Sequence, residues 1–183
     1  MKYHLISCID DALNIAAKAL HDREDWNDRP RILEAMAVSL RGRNTEERVL
    51  GLLYIAQAHG NLNTSYVPLL PYSKTVREAL FILKRHDSRD CQDPIRRQIQ
   101  RIKDSSLSAS SLSREAAALA TTILCNAISV REKQLERDLS DLRNGSQDVG
   151  VTLSISFFTH DLEDVQRDKE ALMDAFGEER FQN

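Results

Sequence analysis

The chain has 183 residues and a formal net charge of −3; 42% of its residues are hydrophobic, 29% are charged and only 5% are aromatic. This is the composition of an ordinary globular protein whose core is built mainly from aliphatic side chains. The longest apolar run is far shorter than the ~20 residues that cross a bilayer, and Asp10 and Asp11 interrupt the only apolar stretch near the start. We therefore expect no transmembrane segment, no signal peptide and an intracellular location, in the cytoplasm or the nucleus.

The sequence contains no recognisable catalytic or metal-binding motif. Its three cysteines, Cys8, Cys91 and Cys125, are widely spaced, which argues against a disulfide framework or a zinc site and for a reducing compartment. There is no glycine-rich phosphate loop, no His-Glu-x-x-His motif and no pair of neighbouring cysteines. We therefore expect no cofactor, no metal and no enzymatic activity.

Apolar residues that recur every three or four positions predict a largely helical chain. In the second predicted helix, Ile32, Leu33, Met36, Ala37 and Leu40 form the apolar face. The predicted helices before the C-terminal region lie at about 8–21, 30–42, 44–59, 74–85, 94–104 and 112–143.

The third predicted helix is expected to be the central one. Asn44 and Glu47 have the spacing of a capping box at its start. Residues 49–55 are apolar on nearly all sides of the helix, which is typical of a helix surrounded by others. Leu53 lies midway along it, so we predict that its side chain is buried.

The fifth predicted helix combines an isoleucine face with a basic face. On a helical wheel, Ile95, Ile99 and Ile102 fall within about 60° of one another. Arginine side chains match the geometry of phosphate, so this surface predicts binding to an acidic protein, RNA or an acidic membrane surface. The alternative is a solvated face that pairs with the acidic C-terminal segment. The basic face comprises Arg96, Arg97, Arg101 and Lys103, and Lys74 and Arg85 of the preceding helix extend it.

A serine-rich stretch at 105–113, with six serines in nine residues, is predicted to be an exposed linker. The long helix after it begins apolar and alanine-rich and becomes charged from Arg131 onward, with Leu135, Leu139 and Leu142 on one stripe. This change of character predicts a helix that is buried at its start and projects at its end.

The C-terminal region is predicted to be a strand at 151–157 followed by a helix at 160–176. Apolar and polar residues alternate in the strand, whereas the helix carries an apolar seam with Lys169 at one core position. A lone strand needs an edge to pair with, so we expect a homodimer or higher oligomer formed through this region. The alternatives are an extended segment and an amphipathic helix that fold back on their own chain. The predicted self-association residues are Val151, Leu153, Ile155, Phe157, Leu162, Val165, Leu172 and Phe176.

The densest polar cluster is the segment from His86 to Asp93. Its functional interpretation is a small helical enzyme in which His86 activates Cys91, or a cation site formed by its aspartates. A calcium loop requires more ligands and a glycine at its sharp turn, which this segment lacks. The simpler interpretation is a solvated loop between two helices, in which Asp93 caps the second one.

From Asn44 to Val130 the chain resembles the N-terminal helical domain of orthomyxovirus matrix proteins. The resemblance rests on the apolar run Val49-Leu50-Gly51-Leu52-Leu53-Tyr54-Ile55-Ala56, the arginine-rich helix after it and the alanine-rich start of the long helix. It covers about half of the chain and includes no specific motif, and those matrix proteins are typically basic whereas this chain is slightly acidic. It implies a layer protein that bridges a membrane and a ribonucleoprotein, with the basic face at the position of the family's basic patch.

Taken together, these features predict an all-α helical bundle of about six helices with a C-terminal strand-plus-helix arm. We expect an α-helical domain at 1–143 and an assembly arm at 144–183. The predicted function is that of a non-catalytic, self-associating scaffold or adaptor whose basic face binds an acidic or phosphate-bearing partner, with no small-molecule substrate.

Overall fold

The computed structural model describes residues 2–25, 27–62, 70–84, 94–144 and 149–178. Within these ranges the chain forms packed α-helices, which confirms the helical class, and the only β-type pairing is an isolated bridge between Glu24 and Pro30. None of the helices in this part is both long and apolar enough to cross a membrane. The helices are α1 (Lys2–Ala19), α2 (Ile32–Leu40), α3 (Thr45–His59), α4 (Lys74–Ile82), α5 (Pro94–Ser106), α6 (Ser111–Asn144) and α7 (Val149–Phe176).

The chain divides into two compact units, Met1–Leu124 and Cys125–Asn183. The boundary lies inside α6, so the first unit contains the alanine-rich half of this helix. The second unit contains its charged half together with α7. The predicted division near residue 143 would instead have left the whole of the long helix with the first domain.

Helix α3 is the centre of the first unit, as predicted. It packs against α1, α2 and α4, and every side chain from Val49 to Ala56 is buried, with Leu53 fully enclosed. The predicted cap is present, since the Asn44 side chain accepts a hydrogen bond from Glu47 N at 2.9 Å. The Glu47 carboxylate accepts from Arg43 N at 2.7 Å, so a second backbone donor ahead of the helix is also satisfied.

Helix α2 packs on α3 through its small residues rather than through its large apolar ones. Its buried side chains are those of Ala35, Val38 and Ser39. A Cβ atom added at Gly51 of α3 would lie 3.1 Å from Ser39 Cα, so the two helices approach closely because neither carries a large side chain at the contact. The apolar face seen in the sequence therefore lies on the opposite, solvent side of α2.

A tight turn precedes α2 and is organised by Asp25. Its carboxylate accepts hydrogen bonds from Asn27 N at 2.8 Å and from Arg29 N and Nε at 3.1 and 3.0 Å. Burial raises the pKa of Asp25, but these hydrogen bonds and the Arg29 charge outweigh it and hold the pKa below its usual value. Backbone hydrogen bonds from Asp25 N to Arg29 O and from Arg31 N to Arg23 O close the turn and place Glu24 beside Pro30.

The strand predicted at 151–157 is wrong, because this segment is the beginning of α7. A helix satisfies its own backbone donors and acceptors, whereas a strand needs a neighbour. Thr159 Oγ1 donates to Ile155 O at 2.7 Å, a bond along the same helix. The residues at 151, 155, 158, 162 and 165 also alternate in steps of four and three, so the seam of the predicted C-terminal helix continues through the supposed strand.

Helices α6 and α7 form an antiparallel hairpin in the second unit. Lys169 Nζ donates to both carboxylate oxygens of Glu132, at 2.7 and 3.0 Å. Only residues 145–148 separate the helices, and each helical residue adds about 1.5 Å, so these two side chains can meet only if the chain turns back. Leu135, three residues after Glu132, and Val165, four residues before Lys169, lie at nearly the same level of the hairpin, and both side chains are buried.

Candidate anion-binding face

Helix α5 is oriented by its isoleucines. Ile95, Ile99 and Ile102 are buried, as the helical wheel predicted, and α5 packs against α4. Burial of three aliphatic side chains on one side leaves the opposite side of the helix exposed to solvent. The basic face is therefore held outward by the packing of the isoleucines.

A buried glutamine, which the sequence reasoning missed, provides a second anchor for α5. Gln98 is buried among the isoleucines, and its Nε2 donates to Leu83 O at 2.6 Å. Leu83 is the C-cap of α4, so this bond satisfies one of the carbonyls that a helix end leaves without an intrahelical partner. The signal in the sequence was the position of Gln98, three residues after Ile95 and one before Ile99 on the buried side.

Most of the predicted basic face is exposed. Arg96, Arg97 and Lys103 are exposed and Arg101 is half-buried. One acid shares this side of the helix, namely Asp104, whose carboxylate accepts a hydrogen bond from Gln100 Nε2 at 2.8 Å. The face thus carries four cations against one carboxylate.

Spacing along α5 arranges these cations in two flanks. Arg97 and Arg101 are four residues apart and so are neighbours, about 6 Å apart, on the helix surface. Arg96 and Lys103 are seven residues apart and lie on the other flank. Each guanidinium presents paired N–H donors that fit phosphate or carboxylate oxygens. Two arginines at this spacing can hold one phosphate together or two adjacent phosphates separately.

The two residues predicted to extend the basic face have different outcomes. Lys74 is exposed in the first turn of α4, after Ser73, whose side chain caps that helix by accepting from Val76 N at 3.1 Å. Arg85 lies outside the described residues, as does the whole His86–Asp93 segment that carried the enzyme alternative. In the ranges that the structure describes, no three His, Cys, Asp or Glu side chains converge as ligands for a metal ion.

The predicted self-association residues are only partly available on the surface. Val165 and Leu172 are buried inside the chain, and Leu162, Phe176 and Ile155 are half-buried. Phe157 is 58% exposed and makes an edge-to-face contact with the buried Phe158, with ring centroids 5.9 Å apart. The side chains of Val151 and Leu153 lie outside the described part. Among the predicted self-association residues whose side chains the structure describes, Phe157 is thus the one that is mostly exposed.

The matrix-protein resemblance rests on the order of an apolar, a basic and an alanine-rich helix, and it stays a prediction. The structure has α3, α5 and the first half of α6 in this order. Many helical proteins share such an order, so it identifies no family. The chain matches no protein-family model, and no curated protein is significantly similar to it.

Proposed function

We propose that this protein is a non-catalytic, self-associating helical adaptor whose basic face binds a phosphate-bearing polymer. The observation that supports this function is the exposure of Arg96, Arg97 and Lys103 on a helix that is anchored by buried isoleucines and by the Gln98–Leu83 hydrogen bond. An anchored helix loses little conformational freedom when a ligand binds, which favours affinity.

The chemistry of the face favours the phosphate backbone over the bases. Its donors are arginine and lysine side chains, and α5 contains no aromatic residue on which a base could stack. Binding through backbone phosphates is independent of base sequence and weakens as salt rises, because counterions are released from the polymer. We therefore expect modest, salt-sensitive and sequence-tolerant binding.

The test is a charge reversal on one flank of the face, Arg97→Glu with Arg101→Glu. The probes are a labelled single-stranded RNA, vesicles of phosphatidylserine in phosphatidylcholine, and polyglutamate. We expect the wild type to bind RNA with a log–log salt slope of about −0.7 per phosphate contacted, and the variant to bind at least tenfold more weakly, at roughly 1.4 kcal/mol per tenfold. Circular dichroism should show unchanged helix content.

A matched control carries the same change in net charge away from α5. Lys18→Glu with Arg137→Glu reverses two exposed cations, one on α1 and one on α6. This control should retain most of the RNA affinity. Equal losses in the two variants, or no binding of the wild type to any of the three polyanions, would contradict the proposal. Preference for vesicles over RNA would assign the phosphates to a lipid surface, and preference for polyglutamate over RNA would contradict the choice of a phosphate-bearing partner.

A further inference from the structure

The solvent side of α2 carries an apolar stripe formed by Leu33, Met36 and Leu40. These side chains are 53%, 40% and 75% exposed, and their spacing of three and four residues places them on one face. The only charged residue within α2 is Glu34, whose carboxylate is paired with Arg31 at 2.7 Å. Single exposed apolar residues are ordinary, but a contiguous stripe of large ones indicates a surface that another molecule covers.

The two ends of this stripe carry opposite charge. Ahead of α2, Glu24 and Asp28 are exposed, and the bridge to Pro30 holds Glu24 next to the start of the helix. After α2, Arg43 is exposed and Arg41 is half-buried. Within the described ranges, neither of these arginines has a carboxylate within salt-bridge distance. Arg23 is also exposed ahead of α2 and Glu46 is exposed after Arg43, so the surface is acidic in net charge, then apolar, then basic in net charge along its length.

We propose that the α2 stripe binds the α2 stripe of a second copy of this chain, antiparallel about a two-fold axis near Met36. In this register Leu33 lies level with Leu40 of the other copy, and Arg43 lies level with Pro30 of the other copy, beside Glu24. The surface in an isologous interface must be complementary to itself. In an antiparallel pair, the acidic end of one copy faces the basic end of the other, so this surface meets that condition. A partner of another kind would not require both charges at matching distances from the centre.

This inference rests on the self-association included in the proposed function and locates it on α2 rather than α7. Three apolar side chains with their charged flanks make a small interface, of the class below about 1,200 Å² that forms transient complexes. We therefore expect a dimer that dissociates on dilution through the micromolar range.

The first experiment measures the oligomeric state of the full chain by sedimentation velocity from low to several hundred micromolar. We expect a concentration-dependent dimer for the wild type and a monomer for Leu40→Glu. The matched control is Phe81→Glu, which changes a side chain that is similarly exposed (65%) on α4 and should leave the dimer unchanged. Because Leu40 is mostly exposed, its replacement should not alter the circular dichroism spectrum.

A charge swap tests the two-fold register itself. Arg43→Glu and Glu24→Arg should each raise the dimer Kd at least tenfold, and the double variant should return it to within a few-fold of the wild type. A dimer that persists in Leu40→Glu, or a swap that fails to restore it, would overturn the α2 interface and leave the self-associating adaptor intact. A wild type that is monomeric at all concentrations would overturn both self-association claims, while RNA binding tests the basic face separately.

Discussion

At the residue scale, Tyr72 is one of several polar side chains in the first unit that have a buried atom without a hydrogen-bond partner among the described residues. Its side chain is buried, and its hydroxyl has no hydrogen-bond partner within the described ranges. Burial, with a smaller effect from the negative charges of Asp11 and Cys8, raises the pKa of Tyr72 to about 12. The folded protein therefore keeps this proton at a pH where the unfolded chain, with a tyrosine pKa of about 10, has lost it.

This difference predicts the behaviour of Tyr72→Phe. Removing a buried hydroxyl without a partner should leave stability at pH 7 unchanged or raise it by about 1 kcal/mol. The free energy of unfolding of the wild type should be unaffected by Tyr72 ionisation below pH 10 and should fall as pH rises from 10 towards 12. The free energy of unfolding of the variant should fall less over the same pH range. Urea unfolding across this pH range measures both effects. A loss of more than about 1 kcal/mol at pH 7 would show that the hydroxyl is bonded.

Local caps were predictable residue by residue, but a buried polar contact was not. Asn44 caps its helix as the sequence indicated, and Ser73 caps α4 in the same way, since capping depends on residues three apart in the chain. Gln98 bonds to a carbonyl fifteen positions away. No local pattern specifies such a contact, because it depends on how α4 and α5 pack.

At the scale of elements, two helices show how composition can mislead about orientation and type. In α2, the large apolar side chains predicted which face lies in the core, yet the structure buries the small residues instead. The backbone of α2 lies so close to Gly51 of α3 that large side chains do not fit at the contact. In α7 the alternation at 151–157 suggested a strand. The helical spacing of residues 151, 155 and 158 was present in the same segment. The additional apolar residues Leu153 and Phe157 created the alternation that is typical of a strand.

The hairpin of α6 and α7 yields a prediction about the Glu132–Lys169 pair. The Glu132 side chain is only 12% exposed, so removing Lys169 would leave a poorly solvated carboxylate without its counter-charge. We expect Lys169→Glu to destabilise the protein by roughly 1–3 kcal/mol, and Glu132→Lys with Lys169→Glu to recover most of that loss.

Thermal unfolding followed by circular dichroism measures these changes. The control is Arg167→Glu, which breaks an exposed pair with Asp164 on the same helix and should cost under about 1 kcal/mol. Failure of the double variant to recover stability would show that the two side chains do not act as a pair.

At the scale of the whole molecule, the two compact units differ in charge. Residues 1–124 contain 18 Lys and Arg against 15 Asp and Glu, a net charge of +3, whereas residues 125–183 contain 7 against 13, a net charge of −6. The basic face belongs to the positive unit. The negative unit should oppose the approach of a polyanion at low ionic strength.

Neutralising exposed acids of the second unit should therefore strengthen RNA binding. We expect Glu170→Gln with Asp174→Asn and Glu178→Gln to raise the affinity about two- to fivefold at low salt. The gain should disappear near 0.5 M salt, where the screening length falls to about 4 Å. Fluorescence anisotropy at several salt concentrations measures this difference. Equal affinities for variant and wild type at the lowest salt would show that the second unit does not influence the basic face.

The helical start of α7 has a consequence for the protein when it is heated. Residues 149–158 contain no charged side chain, and over 151–157 large apolar residues alternate with threonine or serine. In α7 their backbone groups are bonded along the helix, but an unfolded chain presents them as an uncharged segment of high β-propensity, the kind that stacks into cross-β aggregates. The same ten residues that complete a helix in the native state are thus the segment at which thermal unfolding should become irreversible, through growth of thioflavin-positive fibrils.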